Sequence, residues 1–528
     1  MGGDAFSKAD LKQMERQGIT PAQVRDQLAI CRSASFSRLV RPCTLGDGIR
    51  LLSAEERERA VERQRIAAQA GRFQKFVPAS GAATRMFQSL LQIFHMPHFL
   101  EREELQCRVR QGVSVACDFL AFLDGLPRFA FYEDLEKAVV REGTTLAALI
   151  QGSQFRSLLE FLLTPRGLAY GSLPKGLLKF HRYPTESRTA FEEHLVEAAR
   201  YIRDARGSCR LHFTISPEHE EWFRFLHEKA QSVHGVPEGV RYEVGFSFQK
   251  RSTDTIAVDR NKRPFRDRSG RLVFRPGGHG ALLENLRDLE GDLIYIKNID
   301  NVVPDRLKEP GIFWKMVLGG YLVEVQERVH EWVGGLQQDP SADFIRSAAR
   351  FAAEDLLLDL SPAFDKLSAG EQRERLIEVL DRPIRVCGVV RNVGEPGGAP
   401  FWVKGSDGRL SIQIVEKAQV NLEDPDQRRT WESSTHFNPV DVVCAVRDFE
   451  GRPYDLRKYV DPRAVILTRK SKDGRELEAL ELPGLWNGAM AGWITLLVEV
   501  PRITFNPVKT LFDLLKPEHS SEPGPSAQ

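Results

Sequence analysis

The sequence lacks several features that mark whole classes of protein. Its 528 residues contain no run of about 20 apolar side chains, the length that crosses a bilayer, so we expect no membrane-spanning helix. The formal net charge is only +1, without the basic excess or basic stripe typical of nucleic-acid-binding proteins. No basic start followed by an apolar segment stands at the N-terminus, so we expect no secretory signal.

Closely spaced cysteines are also lacking. Seven cysteines lie far apart between Cys31 and Cys444, and no close pair begins a zinc site. An odd number without a pairing pattern is typical of a reducing compartment. We therefore expect a cytoplasmic protein that binds neither nucleic acid nor membrane.

What the chain does contain is an alternation of strand and helix patterns after residue 71. Apolar strand patterns stand at 73–77, 210–215, 240–248, 292–298, 384–390, 410–415, 440–446 and 494–500. Helical patterns stand at 84–94, 187–205, 217–234, 281–289 and 344–357. This alternation predicts an α/β domain with a mixed, mostly parallel sheet flanked by helices.

Three segments differ from this pattern. Residues 1–70 are charged and helical in period, and Ser53 with Glu56 forms a capping-box sequence at the start of one helix. Residues 97–165 also look helical, and we interpret them as an insertion in an α/β domain spanning 71–516. Residues 517–528 are rich in Pro, Ser and Glu, which predicts a disordered tail.

The first candidate site is a turn of small residues between a predicted strand and helix. Small side chains let backbone N–H groups approach phosphate oxygens, and the following helix N-terminus adds favourable partial charge. Arg85 adds a planar cation that can bind two phosphate oxygens. A tight turn with a solvated arginine is the structural alternative. The turn residues are Ser80, Gly81, Ala82, Ala83 and Thr84.

Two lysines follow prolines in short turns. Lys175 follows Pro174, and Lys509 follows a Pro-Val pair. The proline restricts the backbone before each lysine, so each ammonium group is held in a position suited to binding a phosphate. Exposed loops with ordinary solvated charges are the alternative at both positions.

Two aspartates stand next to predicted strands. Asp300 follows the strand at 292–298, and open α/β sheets bind ligands beyond the carboxyl ends of their strands. Asp441 lies in a His-Phe-Asn-Pro-Val-Asp segment together with Asn438. Both carboxylates are candidate magnesium ligands, because Mg²⁺ prefers oxygen. Turn or helix-cap aspartates are the alternative, and the sequence does not show whether the two meet.

A glycine-rich turn precedes the helical pattern at 281–289. Its residues Gly277, Gly278, His279 and Gly280 suit close approach to a base or ribose, and a flexible turn is the alternative.

The order of these motifs resembles that of UDP-glucose and UDP-sugar pyrophosphorylases. Residues 500–515 are similar to the Val-Pro-Arg-x-x-Phe-x-Pro-Val-Lys-Thr segment of those enzymes, which Asp-Leu-Leu follows. Looser likenesses follow the same order at 79–86, 174–176, 244–249, 276–280, 299–301, 414–416 and 437–438. Over nearly its whole length the chain also resembles the family of domain of unknown function 4301.

The resemblance implies a GT-A-like nucleotidyltransferase that joins a nucleoside triphosphate to a sugar 1-phosphate, with UTP as the favoured triphosphate. Arg85, Lys175 and Lys509 would contact phosphates, and Asp300 and Asp441 would hold Mg²⁺. The small-residue turn, Gln249 and the glycine-rich turn would bind the nucleotide, and Glu416 and Asn438 the sugar phosphate.

The chain departs from the family pattern in three places. Ser80 and Ala83 replace glycines, about 90 positions separate the small-residue turn from Lys175, and Asp441 stands where asparagine is frequent. Two alternatives therefore stay open: a catalytically inactive relative that binds a nucleotide sugar, and a nucleotidyltransferase acting on a non-sugar phosphate.

Overall fold

The computed structural model describes residues 6–33, 36–96, 102–338, 340–394, 397–437 and 441–520. The chain forms two compact units, each built from discontinuous stretches. Unit 1 comprises Met1–Phe76, Ser247–Ile296 and Phe313–Arg502, and unit 2 comprises Val77–Phe246, Lys297–Ile312 and Ile503–Gln528. These units do not coincide with the predicted consecutive segments 1–70, 71–516 and 517–528, which stay a sequence-based assignment.

The helices, in chain order, are α1 Lys8–Gln17, α2 Pro21–Ser33, α3 Ala54–Gln69, α4 Gln88–Phe94, α5 Arg102–Arg110, α6 Ser114–Gly125, α7 Tyr132–Val140, α8 Leu146–Gln151, α9 Phe155–Leu163, α10 Ala190–Ala199, α11 Glu220–Ala230, α12 Leu283–Arg287, α13 Lys308–Gln337, α14 Ala342–Arg350, α15 Ala369–Leu380 and α16 Pro425–Glu432. Ser53 and Glu56 form the predicted capping box at the start of α3, where each side chain accepts a hydrogen bond from the other's backbone N–H.

The strands are β1 Leu39–Pro42, β2 Thr44–Leu45, β3 Gly48–Arg50, β4 Phe73–Pro78, β5 Lys179–Arg182, β6 Ser187–Thr189, β7 Ser208–Thr214, β8 Arg241–Ser247, β9 Thr255–Val258, β10 Phe274–Arg275, β11 Leu293–Ile296, β12 Ile384–Arg391, β13 Ala399–Lys404, β14 Leu410–Val415, β15 His436–Phe437, β16 Val442–Ala445, β17 Ile466–Lys472, β18 Arg475–Glu481 and β19 Ile494–Glu499.

In unit 1 the main sheet has the order β2-β3-β19-β12-β16-β11-β4. Strand pairs on both sides of β16 are antiparallel, and the other four pairs are parallel. Helices cover both faces. Tyr295 points to α13, where its hydroxyl donates to the Lys315 carbonyl, while Ile294 and Ile296 pack with Leu286 of α12. The predicted mixed, mostly parallel sheet with flanking helices is thus confirmed.

Unit 2 is largely helical around two neighbouring strands, β7 and β8. The segment predicted as a helical insertion contains α5 to α9 over its described residues. Aromatic rings fill the space between α10, α11 and β7, where the Phe191 ring lies 4.6 Å from Phe213 and 5.4 Å from Phe223.

The sequence analysis missed elements at both ends of the chain. The charged N-terminal region contains strands β1 to β3 besides its helices. The sequence analysis missed these strands because each has too few apolar residues to show a period. Part of the predicted disordered tail is held in place: His519 is buried against His181, at 3.0 Å between ring nitrogens, and Arg306 donates to the Ser520 carbonyl. Residues 521–528 lie outside the described residues. No helix among those described has both the length and the apolar character of a membrane span.

Candidate functional site

The small-residue turn, residues 80–84, follows β4 along the chain and belongs to unit 2. Ala79, the residue before the turn, donates its backbone N–H to the Thr214 carbonyl of β7, and a short 3-10 turn over Ala83–Arg85 leads towards α4. Gly81, Ala82, Thr84 and Arg85 are exposed, whereas Ser80 is half-buried and Ala83 is buried. A Cβ atom added at Gly81 would meet nothing within 4 Å. The turn therefore presents open backbone at Gly81 and an exposed arginine.

Lys175 lies beside this turn despite the helices inserted between them. Ala82 forms an isolated β-bridge with Pro174, the Ala83 N–H donates to the Leu173 carbonyl, and the Lys175 N–H donates to the Gly81 carbonyl. The long separation in sequence, which departs from the family pattern, is thus closed in space.

Three predicted site residues meet at one carboxylate group. Lys175 Nζ lies 2.8 Å and Lys509 Nζ 3.0 Å from Asp300 Oδ2. Lys175 Nζ also donates to the Val508 carbonyl at 2.7 Å. We call Lys175, Asp300 and Lys509 the Asp300 cluster.

Backbone contacts hold the segment that carries Lys509. The Val508 N–H donates to the Asp300 carbonyl, and the Leu511 N–H donates to the Met86 carbonyl beyond the small-residue turn. The Asp513 carboxylate accepts hydrogen bonds from the N–H groups of Lys509 and Thr510, which fixes the turn after Lys509.

Asn301 lies in the family likeness at 299–301, but the sequence analysis assigned it no role. Its side-chain carbonyl accepts a hydrogen bond from the Asn506 N–H at 3.0 Å, and its amide donates to the Thr504 carbonyl. Asn301 therefore fastens the chain after Asp300 to the chain before Lys509. Its position directly after Asp300 was the available signal.

The two lysines differ in exposure. The side chain of Lys175 is 13% exposed and that of Lys509 is 59% exposed. Burial lowers the pKa of Lys175, against the opposing effect of Asp300. Burial alone would raise the pKa of Asp300, but the ammonium groups of Lys509 and Lys175 outweigh it and lower that pKa. Asp300 is thus ionised at neutral pH, and Lys509 is the cation that a ligand can reach.

The second oxygen of Asp300 bears on the predicted magnesium site. Asp300 Oδ1 is buried and has no hydrogen-bond partner, which is costly for a carboxylate oxygen without a ligand. Mg²⁺ is often held by one or two carboxylates together with substrate phosphates and water, so this oxygen fits such an ion. No group of three or more His, Cys, Asp or Glu side chains with metal-binding geometry occurs in the described part of the chain.

Asp441, the other predicted metal ligand, belongs to unit 1. It is buried and lies 3.3 Å from Lys315 Nζ. Each predicted ligand is therefore neutralised by lysine within its own unit, and joint coordination of one ion stays a prediction.

The glycine-rich turn also belongs to unit 1, where its glycines serve packing. A Cβ atom added at Gly277 would lie 2.5 Å from the Thr253 carbonyl oxygen, and one at Gly280 would lie 2.1 Å from that of Pro483. Gly278 has a φ of +74°, in the left-handed region. The shape of the turn is thus explained by its own chain, and its predicted role in nucleotide binding stays a prediction.

His279 connects this turn to Glu416. His279 Nε2 lies 3.5 Å from Glu416 Oε1, His279 Nδ1 accepts a hydrogen bond from the Leu485 N–H, and the ring stacks on Trp486 at 4.8 Å. Asn487 donates to Glu416 as well, a contact that sequence reasoning missed. The structure thus joins two predicted ligand-binding residues, His279 and Glu416. Gln249 lies half-buried elsewhere in unit 1, and Asn438 lies outside the described residues.

Fold and site together define a mixed α/β protein with two ammonium groups on one buried carboxylate. The chain belongs to the family described as domain of unknown function DUF4301, whose model matches residues 7–520. No curated protein matches it significantly in sequence.

Among solved structures, the chain is similar to two pyrophosphorylases and a phosphorylase from Trypanosoma brucei and Leishmania major. The uridine diphosphate N-acetylglucosamine pyrophosphorylase of Trypanosoma brucei is 13% identical, with a TM-score of 0.49 over 97% of this chain and 80% of the other. A UDP-glucose pyrophosphorylase mutant of Leishmania major is 12% identical, with a TM-score of 0.42 over 97% and 79%. The UDP-glucose phosphorylase of Trypanosoma brucei is 14% identical, with a TM-score of 0.43 over 96% and 77%.

Proposed function

We propose that this protein is a nucleotidyltransferase that forms a nucleoside diphosphate sugar, with UTP as the favoured triphosphate, and releases pyrophosphate. One observation carries the proposal: motifs that resemble those of pyrophosphorylases meet in unit 2. Lys175 and Lys509 lie 125 and 209 positions from Asp300, yet both bind its carboxylate. The backbone of the small-residue turn contacts the segment that carries Lys175, and Met86, just beyond the turn, contacts the segment that carries Lys509.

In the proposed reaction an oxygen of the sugar 1-phosphate attacks the α-phosphorus of the triphosphate. The bond from the α-phosphorus to the bridging oxygen breaks, and pyrophosphate leaves with its electron pair. Catalysis of this kind depends on positioning and on neutralising phosphate charge. Lys509 and Arg85 would bind phosphate oxygens, and the open backbone at Gly81 would lie against them.

Lys175 has a supporting role in this proposal. Its ammonium is buried between Asp300 and the Val508 carbonyl, so it orients the carboxylate and the segment that carries Lys509. Asp300 Oδ1 would hold Mg²⁺. Such an ion, when bound with the triphosphate, neutralises charge on the phosphate oxygens.

The test is a pyrophosphate-release assay across nucleoside triphosphates and sugar 1-phosphates. Lys509→Ala should lower kcat/KM by at least about 100-fold, the scale seen on losing one electrostatic stabiliser of the transition state. The matched control is Lys137→Ala, which removes an exposed lysine on α7 of the same unit and should change kcat/KM less than about twofold.

Activity retained in Lys509→Ala would remove its assigned role. Absence of pyrophosphate release with every substrate pair would reject the enzyme and leave the second candidate, a nucleotide-sugar-binding protein without turnover. Two observations favour that candidate. Two ammonium groups already neutralise Asp300 Oδ2, which leaves less negative charge for a metal ion. Ala83 has a buried methyl group where the turns of the resembling family have glycine. Saturable binding of UDP-glucose without turnover would support it.

A further inference from the structure

One cavity lies wholly within unit 1, and the proposed function does not use it. Its volume is about 510 Å³, within the range of about 300–1,000 Å³ typical of small-molecule sites. It lies between the sheet formed by β1, β13 and β14 and the chain that leads into β19. Apolar side chains, among them Ile412, Val460 and Trp493, form part of its wall.

The charges around this cavity are predominantly positive. Six cationic side chains line it against three carboxylates, Asp359, Asp407 and Asp461. Each of these carboxylates already accepts a hydrogen bond. Asp359 and Asp461 accept from backbone N–H groups, and Asp407 accepts from the Arg409 guanidinium. The cations are Arg38, Arg382, Lys404, Arg409, Lys458 and Arg463.

Three of these cations are available to a ligand. The side chains of Arg38, Lys404 and Lys458 are exposed, and none forms an ion pair or hydrogen bond with the described residues. Arg382 is partly buried, and its guanidinium group lies 3.9 Å from the Glu378 carboxylate.

The floor of the cavity adds a fourth, fixed charge. Thr495 lines the cavity, and its hydroxyl accepts a hydrogen bond from Nε of Arg385 at 2.9 Å. Arg385 is fully buried, forms no ion pair with a described carboxylate, and leaves one Nη atom without a partner. Trp493, also in the wall and 4% exposed, has an indole N–H without a partner. Burying a charge without an ionic partner costs free energy. The buried Arg385 guanidinium therefore places an uncompensated positive potential behind this wall.

From these observations we infer that the cavity binds an organic phosphate of nucleotide or sugar-phosphate size, with its phosphate group towards Arg38, Lys404 and Lys458. Its apolar wall favours a ligand with a ring or sugar over a bare inorganic anion. The inference does not depend on the proposed function, because every residue that lines the cavity belongs to unit 1.

The experiment is calorimetric titration of the full chain carrying Lys509→Ala, which weakens the proposed catalytic site of unit 2. The probes are UTP, glucose 1-phosphate and tripolyphosphate. We expect one binding site for UTP or for glucose 1-phosphate, and the tighter of the two identifies the ligand class. Tripolyphosphate should bind at least tenfold more weakly than that ligand.

Adding Lys404→Glu and Lys458→Glu should weaken binding at least tenfold. The matched control, Lys470→Glu, reverses an exposed charge on β17 away from the cavity and should change the Kd less than twofold. Lys404→Gln with Lys458→Gln serves as a milder pair if charge reversal impairs folding, and it should weaken binding at least threefold.

Unchanged affinity in both lysine pairs, no binding in the Lys509→Ala background, or tripolyphosphate bound as tightly as the organic phosphates would each overturn the inference. Absence of pyrophosphate release by the wild-type chain would reject only the proposed function, because that result says nothing about binding to the cavity in unit 1.

Discussion

The two turns predicted to bind the nucleotide both contain glycine, but the surroundings of their glycines differ. Gly81 in unit 2 has open space around its missing side chain and no left-handed φ. Gly277 and Gly280 in unit 1 have carbonyl oxygens within 2.5 Å of the place where a Cβ would stand. The unit 1 turn needs glycine in order to fold, whereas nothing in unit 2 requires it at Gly81. A glycine that the fold does not require is the better candidate for ligand contact.

The largest effect expected from this comparison is on stability in unit 1. Gly280→Ala places a methyl group against backbone of Pro483, which has little freedom to move, so we expect a loss of about 3 kcal/mol in the free energy of unfolding. Urea denaturation measures it. The control is Gly370→Ala at the start of α15, where nothing lies within 4 Å, and it should raise stability by about 0.5 kcal/mol. Equal effects at the two positions would show that the turn is not closely packed.

An intermediate effect is expected on activity in unit 2. Gly81→Ala should leave the free energy of unfolding within about 0.5 kcal/mol of wild type, because the new methyl group meets nothing. If phosphates lie against this backbone, the same methyl group should lower kcat/KM about tenfold, which corresponds to about 1.4 kcal/mol. Pyrophosphate release and urea denaturation on the same samples test both parts. Full activity in Gly81→Ala would remove the turn from the site.

The smallest effect concerns the acid dependence of stability. The pKa of Asp300 is lower in the folded protein than its ordinary value of about 3.9, so its ion pairs stabilise the fold above that value. This contribution is lost as pH falls from about 4 through the lower folded pKa. Asp300→Asn should therefore unfold with a shallower dependence on pH below about 4 in acid titrations at constant ionic strength. An identical slope in both proteins would mean that the two ammonium groups do not perturb Asp300.

Much of the fold was predictable because strand and helix patterns are local. The predicted strands at 384–390, 410–415 and 494–500 correspond to β12, β14 and β19 within one residue at each end. The longest helix, α13, was missed because most of its residues between 312 and 330 are buried, which leaves no polar face to produce a helical period. Strands β17 and β18 were missed as well, since charged residues interrupt their apolar pattern.

The candidate site was predictable as a set of residues and less so as an arrangement. Lys175, Asp300 and Lys509 were all selected from sequence, but as a phosphate contact, a metal ligand and a second phosphate contact. Their ion pairs depend on distances that sequence does not encode, and so does the burial that leaves Lys175 13% exposed and Lys509 59% exposed.

By itself, the sequence determined the local features of this protein: the capping box of α3, the apolar strands of the main sheet and the order of the motifs. These depend on the periods of side chains along a helix or strand and on neighbours a few positions away. Only the tertiary structure decided which charges meet, which glycines are packed and which cations remain accessible. Electrostatic and steric effects act over a few ångströms in space, and residues 125 or 209 positions apart reach that range only through the folded chain.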